Sequence, residues 1–175
     1  QARDRIPHPI YEYIAGGCGS DLSLISNRSA FDDLKLYTRV LRNFSTASTR
    51  QKLLNTPLEH PILLAPVAHQ KLVHPHGELA TAMACEASDT PLVVSTLANH
   101  RLEDISQHCS GRKWFQLYWQ PHRQSTLDLV KRAEQAGYQA LVVTVDTPVT
   151  GLRYRPQRAG FTMPEGLIEA NLADH

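Results

Sequence analysis

Residues 140–148 read Ala-Leu-Val-Val-Thr-Val-Asp-Thr-Pro, a near-continuous apolar run that ends abruptly in polar residues and leads on to Gly151-Leu152-Arg153. A strand that is apolar on both faces belongs inside a parallel sheet, and polar groups at its C-terminal end sit where α/β folds place chemistry. Three earlier segments repeat the design: 61–66 (PILLAP), 92–96 (LVVST) and 114–119 (WFQLYW). The starts of these segments lie about 20 to 30 residues apart, enough for a strand, a loop and a crossover helix.

The intervening segments read as helices. Residues 77–88 place Leu79, Ala82, Met83 and Ala87 near one face, and residues 125–136 open with Ser125 and Asp128 at capping-box spacing. Residues 101–109 form a shorter candidate. Strand and helix in this rhythm predict an α/β fold, either a β/α barrel or an open doubly wound sheet. The Gly-x-Gly-x-x-Gly turn that favours the open sheet follows none of the four strands, so the barrel is preferred.

With the strands placed, the chain resembles the FMN-dependent 2-hydroxy acid oxidoreductases, the group of glycolate oxidase, lactate oxidase and the FMN-type lactate and mandelate dehydrogenases. The matching motifs are YEYIAGG at 11–17, NRSAF at 27–31, PILLAP at 61–66, HPHGE at 74–78, FQLY at 115–118 and TVDTP at 144–148, in the family's order and approximate spacing over roughly residues 9–165. The resemblance implies an eight-stranded (β/α)8 TIM barrel of which this chain holds the N-terminal half, about four β/α units behind a helical cap. Length agrees, since a full barrel takes about 250 residues and this chain has 175.

Two segments are expected: 1–60 as helical cap and connector, with the cap over 6–34 and short strands around 36–40 and 52–54, and 61–175 as the half-barrel ending in the loop after strand four. The chain starts at Gln1 without a signal pattern, and the start is taken as cut, disordered or processed. A net charge of +1, 42% apolar residues and no apolar run approaching the roughly 18 to 20 residues of a membrane span describe a soluble chain with no sign of nucleic-acid binding. Cys18, Cys85 and Cys109 are too few and too scattered for a disulfide framework or a Cys-x-x-Cys site, so a cytoplasmic location is the default. The basic, turn-rich stretch after Arg153 corresponds to a variable family loop over the site, the one place where membrane contact is entertained.

The chemistry implied by the resemblance is oxidation of an L-2-hydroxy acid to a 2-keto acid, with FMN taking two electrons. Tyr13 matches the family tyrosine that hydrogen-bonds the substrate carboxylate. Tyr118 matches a tyrosine near the substrate hydroxyl or keto oxygen, in both a binding and a catalytic role. Taken alone, each is an amphipathic aromatic at the rim of a core. Asp146 matches the carboxylate that orients and charges the catalytic histidine; alone, it reads as a helix N-cap. Arg153 matches a substrate-side arginine, or is one more solvated charge beside Arg155 and Arg158.

For the flavin, the resemblance points to Pro66, Val67 and Ala68 after strand one, Ser95 after strand two, Gln116 on strand three and Thr144 on strand four. Their neutral groups can meet a flavin edge without adding charge; otherwise Ser95 and Thr144 are satisfied strand-end hydroxyls and Gln116 a buried amide. Leu97 stands where many family members carry an aromatic. His74, His76 and Glu78 resemble a metal cluster, but they lack a third His at helical spacing and coincide with a family loop-to-helix motif, so no metal is expected. His69 is given no role.

The family's catalytic histidine, flavin-contacting lysine, second carboxylate-binding arginine and phosphate loops all lie beyond the fourth strand. The leading expectation is therefore an enzyme half that needs its C-terminal partner. The alternative is a non-catalytic half-barrel that self-associates through open sheet edges. A third reading, a flavin barrel for phosphorylated substrates, is disfavoured by Tyr13, Tyr118 and the strand-four motif.

Overall fold

The computed structural model describes residues 1–54 and 56–173. The chain forms two compact units, one of residues 1–47 with 148–164 and the other of 48–147 with 165–175. The sequence reading drew its division at residue 60 instead.

The larger unit is built on a parallel sheet in chain order, β3 (Leu92–Ser95), β4 (Lys113–Tyr118) and β5 (Leu141–Thr144). A short antiparallel pair, β1 (Gln51–Leu53) and β2 (Thr56–Leu58), precedes it. Helices α3 (Gly77–Ala87), α4 (Leu102–Gln107) and α5 (Arg123–Gln135) fill the crossovers. Successive strand residues point to opposite faces. Leu92, Val94, Phe115 and Leu117 share one face, and they form a single core with Ala82 and Cys85 of α3, Leu102 and Ile105 of α4, and Leu129 and Ala133 of α5. All three helices thus serve one face of the sheet, the arrangement of a barrel arc. The arc belongs to the α/β class, and among the described residues no barrel closes.

Helix α5 ends where its sequence requires. Gly137 takes φ +78, Gly137 N–H donates to Glu134 O at 3.0 Å and Tyr138 N–H to Ala133 O at 3.0 Å, the paired bonds of a glycine-terminated helix. Tyr138 then meets Phe115 edge-on at 5.9 Å and donates its hydroxyl to Leu102 O at 2.8 Å, and burial raises its pKa. Arg132 of α5 forks onto Glu103 of α4 at 2.7 and 3.0 Å.

Four local expectations need correction. The first predicted strand, 61–66, is reduced to one parallel bridge, Leu64 with Leu92; Pro61 and Pro66 have no N–H to donate at its ends. Residues 36–40 form no strand and lie exposed, Leu36 at 96%. The Ser125–Asp128 capping box does not start α5, which begins at Arg123 with His122 at the N-cap and no side-chain cap bond. Finally, β5 is not buried: among the described residues it pairs with β4 alone, and Leu141 and Val143, on the helix-side face by register with Phe115 and Leu117, are 41% and 51% exposed. A continuous apolar run specifies a strand with neighbours on both faces; here the helix-side face is left exposed.

The smaller unit contains α1 (His8–Ala15), α2 (Leu22–Asp32) and α6 (Tyr154–Arg158), so the 6–34 cap is two helices. No residue of α1 or α2 is buried. No helix among the described residues is long and apolar enough to cross a membrane.

Residues 168–172 return to the strand ends of the larger unit. Asn171 is fully buried, accepts the Leu102 N–H on Oδ1 at 2.8 Å and donates Nδ2 to Thr96 O at 3.3 Å. Asn171→Ala leaves both backbone groups without a partner in the interior, at about 1–3 kcal/mol each. The urea midpoint of the chain is expected to fall with little change in slope. An unchanged midpoint would show that this return does not hold the sheet ends.

Candidate functional site

At the C-terminal ends of β3, β4 and β5, three of the predicted flavin residues meet. Ser95 pairs in register with Gln116, and Tyr118 with Thr144. Ser95, Gln116 and Tyr118 point to the face opposite the helices, as does Thr144. Gln116 is 2% exposed. Its Oε1 accepts the Thr96 N–H at 3.1 Å and the Ser95 hydroxyl at 3.3 Å, and its Nε2 donates to Thr144 Oγ1 at 2.9 Å. The backbone donor at Thr96 fixes which end of the amide is oxygen. The Ser95 hydroxyl also accepts the Leu97 N–H at 3.1 Å. The Thr144 hydroxyl proton and the second Gln116 amide N–H make no hydrogen bond among the described residues. The result is an uncharged layer with donors to spare, which suits the neutral, hydrogen-bonding edge of a flavin ring.

Thr96, missed by the sequence reading, completes this layer. Its Oγ1 donates to Gln116 O at 2.6 Å and accepts the Tyr118 N–H at 3.2 Å, so a side chain continues the β3–β4 ladder past the last strand residue. A hydroxyl pair closing an apolar strand, Ser95-Thr96, was the available signal.

Pro66 and Val67 are exposed and Ala68 half-buried. The loop that carries them is tied down from behind. Gln70 Nε2 donates to Val67 O at 3.3 Å, and Thr81 Oγ1 donates to Gln70 Oε1 at 2.5 Å. Glu78, 3% exposed, accepts the N–H groups of Gln70 and Asn99 on one oxygen, at 3.2 and 3.1 Å. Asn99 Oδ1 in turn accepts the Lys71 N–H at 3.1 Å. Glu78 thus joins the loop after residue 66 to the loop after β3. His74 Nδ1 accepts the His76 N–H at 3.2 Å. His69, 6% exposed, lies 3.7 Å from Glu169. Tyr118 is half-buried, and its hydroxyl makes no hydrogen bond among the described residues. Asp146 is exposed in the turn after β5 without an ion-pair partner among them, and it caps no helix, because α6 starts only at Tyr154.

In the smaller unit, Tyr13 and Arg153 come together. The Arg153 guanidinium carbon lies 4.8 Å from the Tyr13 ring centroid, and Nη2 donates to Tyr13 O and, at 2.7 Å, to Gly16 O, carbonyls at the C-terminal end of α1. A cation suits that end of the helix dipole. Arg153 is therefore engaged rather than solvated; its Nε and Nη1 groups make no hydrogen bond among the described residues. The Tyr13 ring stacks on Phe161 at 4.2 Å and 12°. Arg155 binds Glu12 at 2.6 Å, Asp21 at 3.3 Å and Ala15 O at 3.2 Å. Only Arg158 of the basic run is exposed. Gly16 permits this approach: a Cβ there would lie 2.7 Å from Glu12 O and 3.1 Å from Arg155 Cβ.

The FMN-dependent dehydrogenase family model matches residues 2–175, and the chain belongs to that family. It is 47% identical over 163 residues to an L-lactate oxidase of Alicycliphilus denitrificans, covering 93% of this chain and 45% of that protein. It is 42% identical over 170 residues to a 4-hydroxymandelate oxidase of Amycolatopsis orientalis, covering 97% and 47%. A solved mandelate oxidase with (S)-2-phenylpropionate superposes with a TM-score of 0.94 at 42% identity, over 98% of this chain and 51% of that one. A mandelate oxidase mutant with the C4a-OH-FMN adduct matches with a TM-score of 0.93 at 42% identity, over 98% of this chain and 52% of that one. The chain spans about half the length of the relatives it matches.

The α1–α6 contact has a pH dependence of definite sign. The hydrogen bond from Arg155, aided by its charge, holds the Glu12 carboxyl below its ordinary value, and Glu12 in turn raises Arg155. A carboxylate depressed in the folded state contributes stability that is fully present above its unfolded pKa and is lost as pH falls through the folded pKa. Near-UV circular dichroism from the Tyr13–Phe161 stack is expected to fade on acidification below the usual carboxylate range. In Glu12→Gln this fading is expected to be much reduced; an identical acid profile in that variant would remove Glu12 as its cause.

Proposed function

We propose that the chain is the N-terminal half of an FMN-dependent oxidoreductase that converts L-2-hydroxy acids of the lactate and glycolate kind to 2-keto acids, and that it is inactive without a C-terminal half. The observation that carries this reading is the uncharged Ser95–Gln116–Thr144 layer across the ends of three parallel strands. When bound, FMN supplies the two-electron acceptor. Ser95, Gln116 and Thr144 hold its polar edge, with the backbone of Pro66, Val67 and Ala68 beside it. Tyr13 donates its hydroxyl to the substrate carboxylate, and Arg153 offers the donors that α1 does not use. Tyr118 donates to the substrate hydroxyl oxygen. Asp146, which has no ion-pair partner among the described residues, receives the imidazole of a histidine from the other half and stabilises it once it has taken the substrate proton.

Both open sides of the arc support a closing half. At β5, Leu141, Val143 and Val145 are exposed, Val145 at 84%. At the opposite side Leu64, Val67, Ala80 and Ala84 line an open apolar groove of about 460 Å³. The same surfaces favour a second reading, a non-catalytic half-barrel that associates with copies of itself.

Titrating the purified chain with FMN while following flavin fluorescence is expected to give no tight binding, and assays with lactate, glycolate and mandelate no keto acid, since losing part of a catalytic constellation costs orders of magnitude. Tight one-to-one binding with turnover would refute the half-site reading; a colourless oligomer that no closing half turns yellow favours self-association. In the enzyme assembled with its closing half, Tyr13→Phe deletes a hydrogen bond to a carboxylate, about 1.5–3 kcal/mol, and is expected to raise KM. Asp146→Asn is expected instead to lower kcat by on the order of 10²–10⁴. Unchanged kinetics in Tyr13→Phe would remove that residue from the substrate site.

A further inference from the structure

Phe161 belongs to none of the motifs that carry the family resemblance, yet its ring lies face to face with that of Tyr13, centroids 4.2 Å apart and planes inclined by 12°. Its own position is fixed by α6. Gly160 takes φ +67 and turns the chain out of the helix, and the Phe161 N–H then donates to Pro156 O at 2.9 Å. Helix α6 is in turn held to α1 by Arg155, which binds Glu12 at 2.6 Å and Asp21 at 3.3 Å. At its other end Arg153 grips the Tyr13 and Gly16 carbonyls and lies 4.8 Å from the Tyr13 ring centroid.

This short helix therefore constrains Tyr13 from both of its ends, by Arg153 at the backbone and ring and by Phe161 at the ring face. The Tyr13 hydroxyl, by contrast, makes no hydrogen bond among the described residues. A ring clamped on its face, with its polar end uncommitted, is a hydrogen-bond donor prepared before its acceptor arrives. Such preparation lowers the ordering cost of binding.

We infer that Phe161 is a positioning residue for substrate binding: by stacking on Tyr13 it holds the phenol where its hydroxyl meets the carboxylate of the 2-hydroxy acid. The inference rests on the assignment of Tyr13 as a carboxylate ligand. It makes affinity for the acid depend, through the Tyr13 ring, on the segment after α6. The chemical step is left to other residues.

The test uses steady-state kinetics on L-lactate in the flavin-loaded enzyme formed by this chain and its closing half. Phe161→Leu removes the stacked ring and is expected to raise KM about 3- to 10-fold, the span to which the coupling of an aromatic pair corresponds. Flavin content and kcat are expected to stay within about twofold of the parent, since the stack serves binding alone. Phe161→Tyr keeps the ring and is expected to restore KM. In a Tyr13→Phe background, which retains the ring but has no hydroxyl to place, Phe161→Leu is expected to add no further increase. An equal rise in both backgrounds would assign Phe161 to packing alone and overturn the inference. A rise with Tyr13→Phe but none with Phe161→Leu overturns it while leaving Tyr13 as a ligand. No rise with Tyr13→Phe overturns the ligand assignment and the inference with it. Should Phe161→Leu fail to fold, Phe161→Met, which keeps bulk without a ring plane, is read against the same outcomes.

Discussion

Gln116 is 2% exposed in the middle of a parallel sheet, and a buried primary amide is tolerated only if its partners are found. It finds them on both neighbouring strands: Ser95 and Thr96 on one side, Thr144 on the other. The requirement to satisfy one amide therefore sets the relative height of three strand ends. Backbone ladders alone fix register between adjacent pairs; the side-chain relay adds a constraint across β3, β4 and β5 together. On the opposite face Phe115 and Leu117 enter the core with α3, α4 and α5. Alternation along β4 thus separates the part of the strand that stabilises from the part that presents polar groups.

The smaller unit is held by different physics. Helices α1 and α2 bury none of their residues, so an apolar stripe does not account for how α1 and α6 pair. Arginines do: Arg153 satisfies carbonyls at the C-terminal end of α1, and Arg155 forks between carboxylates and a third carbonyl. Guanidinium groups suit this task because their planar fork of five donors engages several acceptors at once. Arg153 also lies 4.8 Å from the Tyr13 ring centroid, and the Phe161 stack holds the face of that ring.

The repeating strand-helix plan was legible because parallel strands write a clear signal, short apolar runs such as LVVST and LVVTV that turn polar at their far ends, and α3, α4 and α5 fell between them. The meeting of Ser95, Gln116 and Thr144 was legible only through the family resemblance; their individual positions allow satisfied core hydroxyls and a core amide equally well. What escaped was set by contacts distant in sequence. Asn171 serves the start of α4 from about 70 positions away, and no local pattern announces such a partner. Arg153 was singled out by the resemblance alone, as a substrate-side arginine; its grip on α1 was not legible, because its acceptors are the backbone carbonyls of residues 13 and 16, which every sequence offers and none advertises. The Ser125–Asp128 pair misled in the opposite way, since a capping pattern is a local preference and the turn at His122 overrode it.

The mismatch at β5 is the most telling of these differences. The composition of β5 and the residue after it, Leu-Val-Val-Thr-Val, is that of a strand enclosed on every side, yet Leu141, Val143 and Val145 lie 41%, 51% and 84% exposed. By register, Leu141 and Val143 stand on the face that carries helices over β3 and β4, so they are exposed on the side that elsewhere forms the core. At the other side of the sheet, residues 61–66 hold to β3 through Leu64 alone, as expected of a strand segment with one neighbour instead of two. An open, apolar sheet edge invites pairing, and soluble proteins ordinarily blunt it with charges, prolines or a covering helix. Residues 141–145 carry neither a charge nor a proline. Sequence and exposure together leave an apolar edge directly beside the polar layer, Thr144 included.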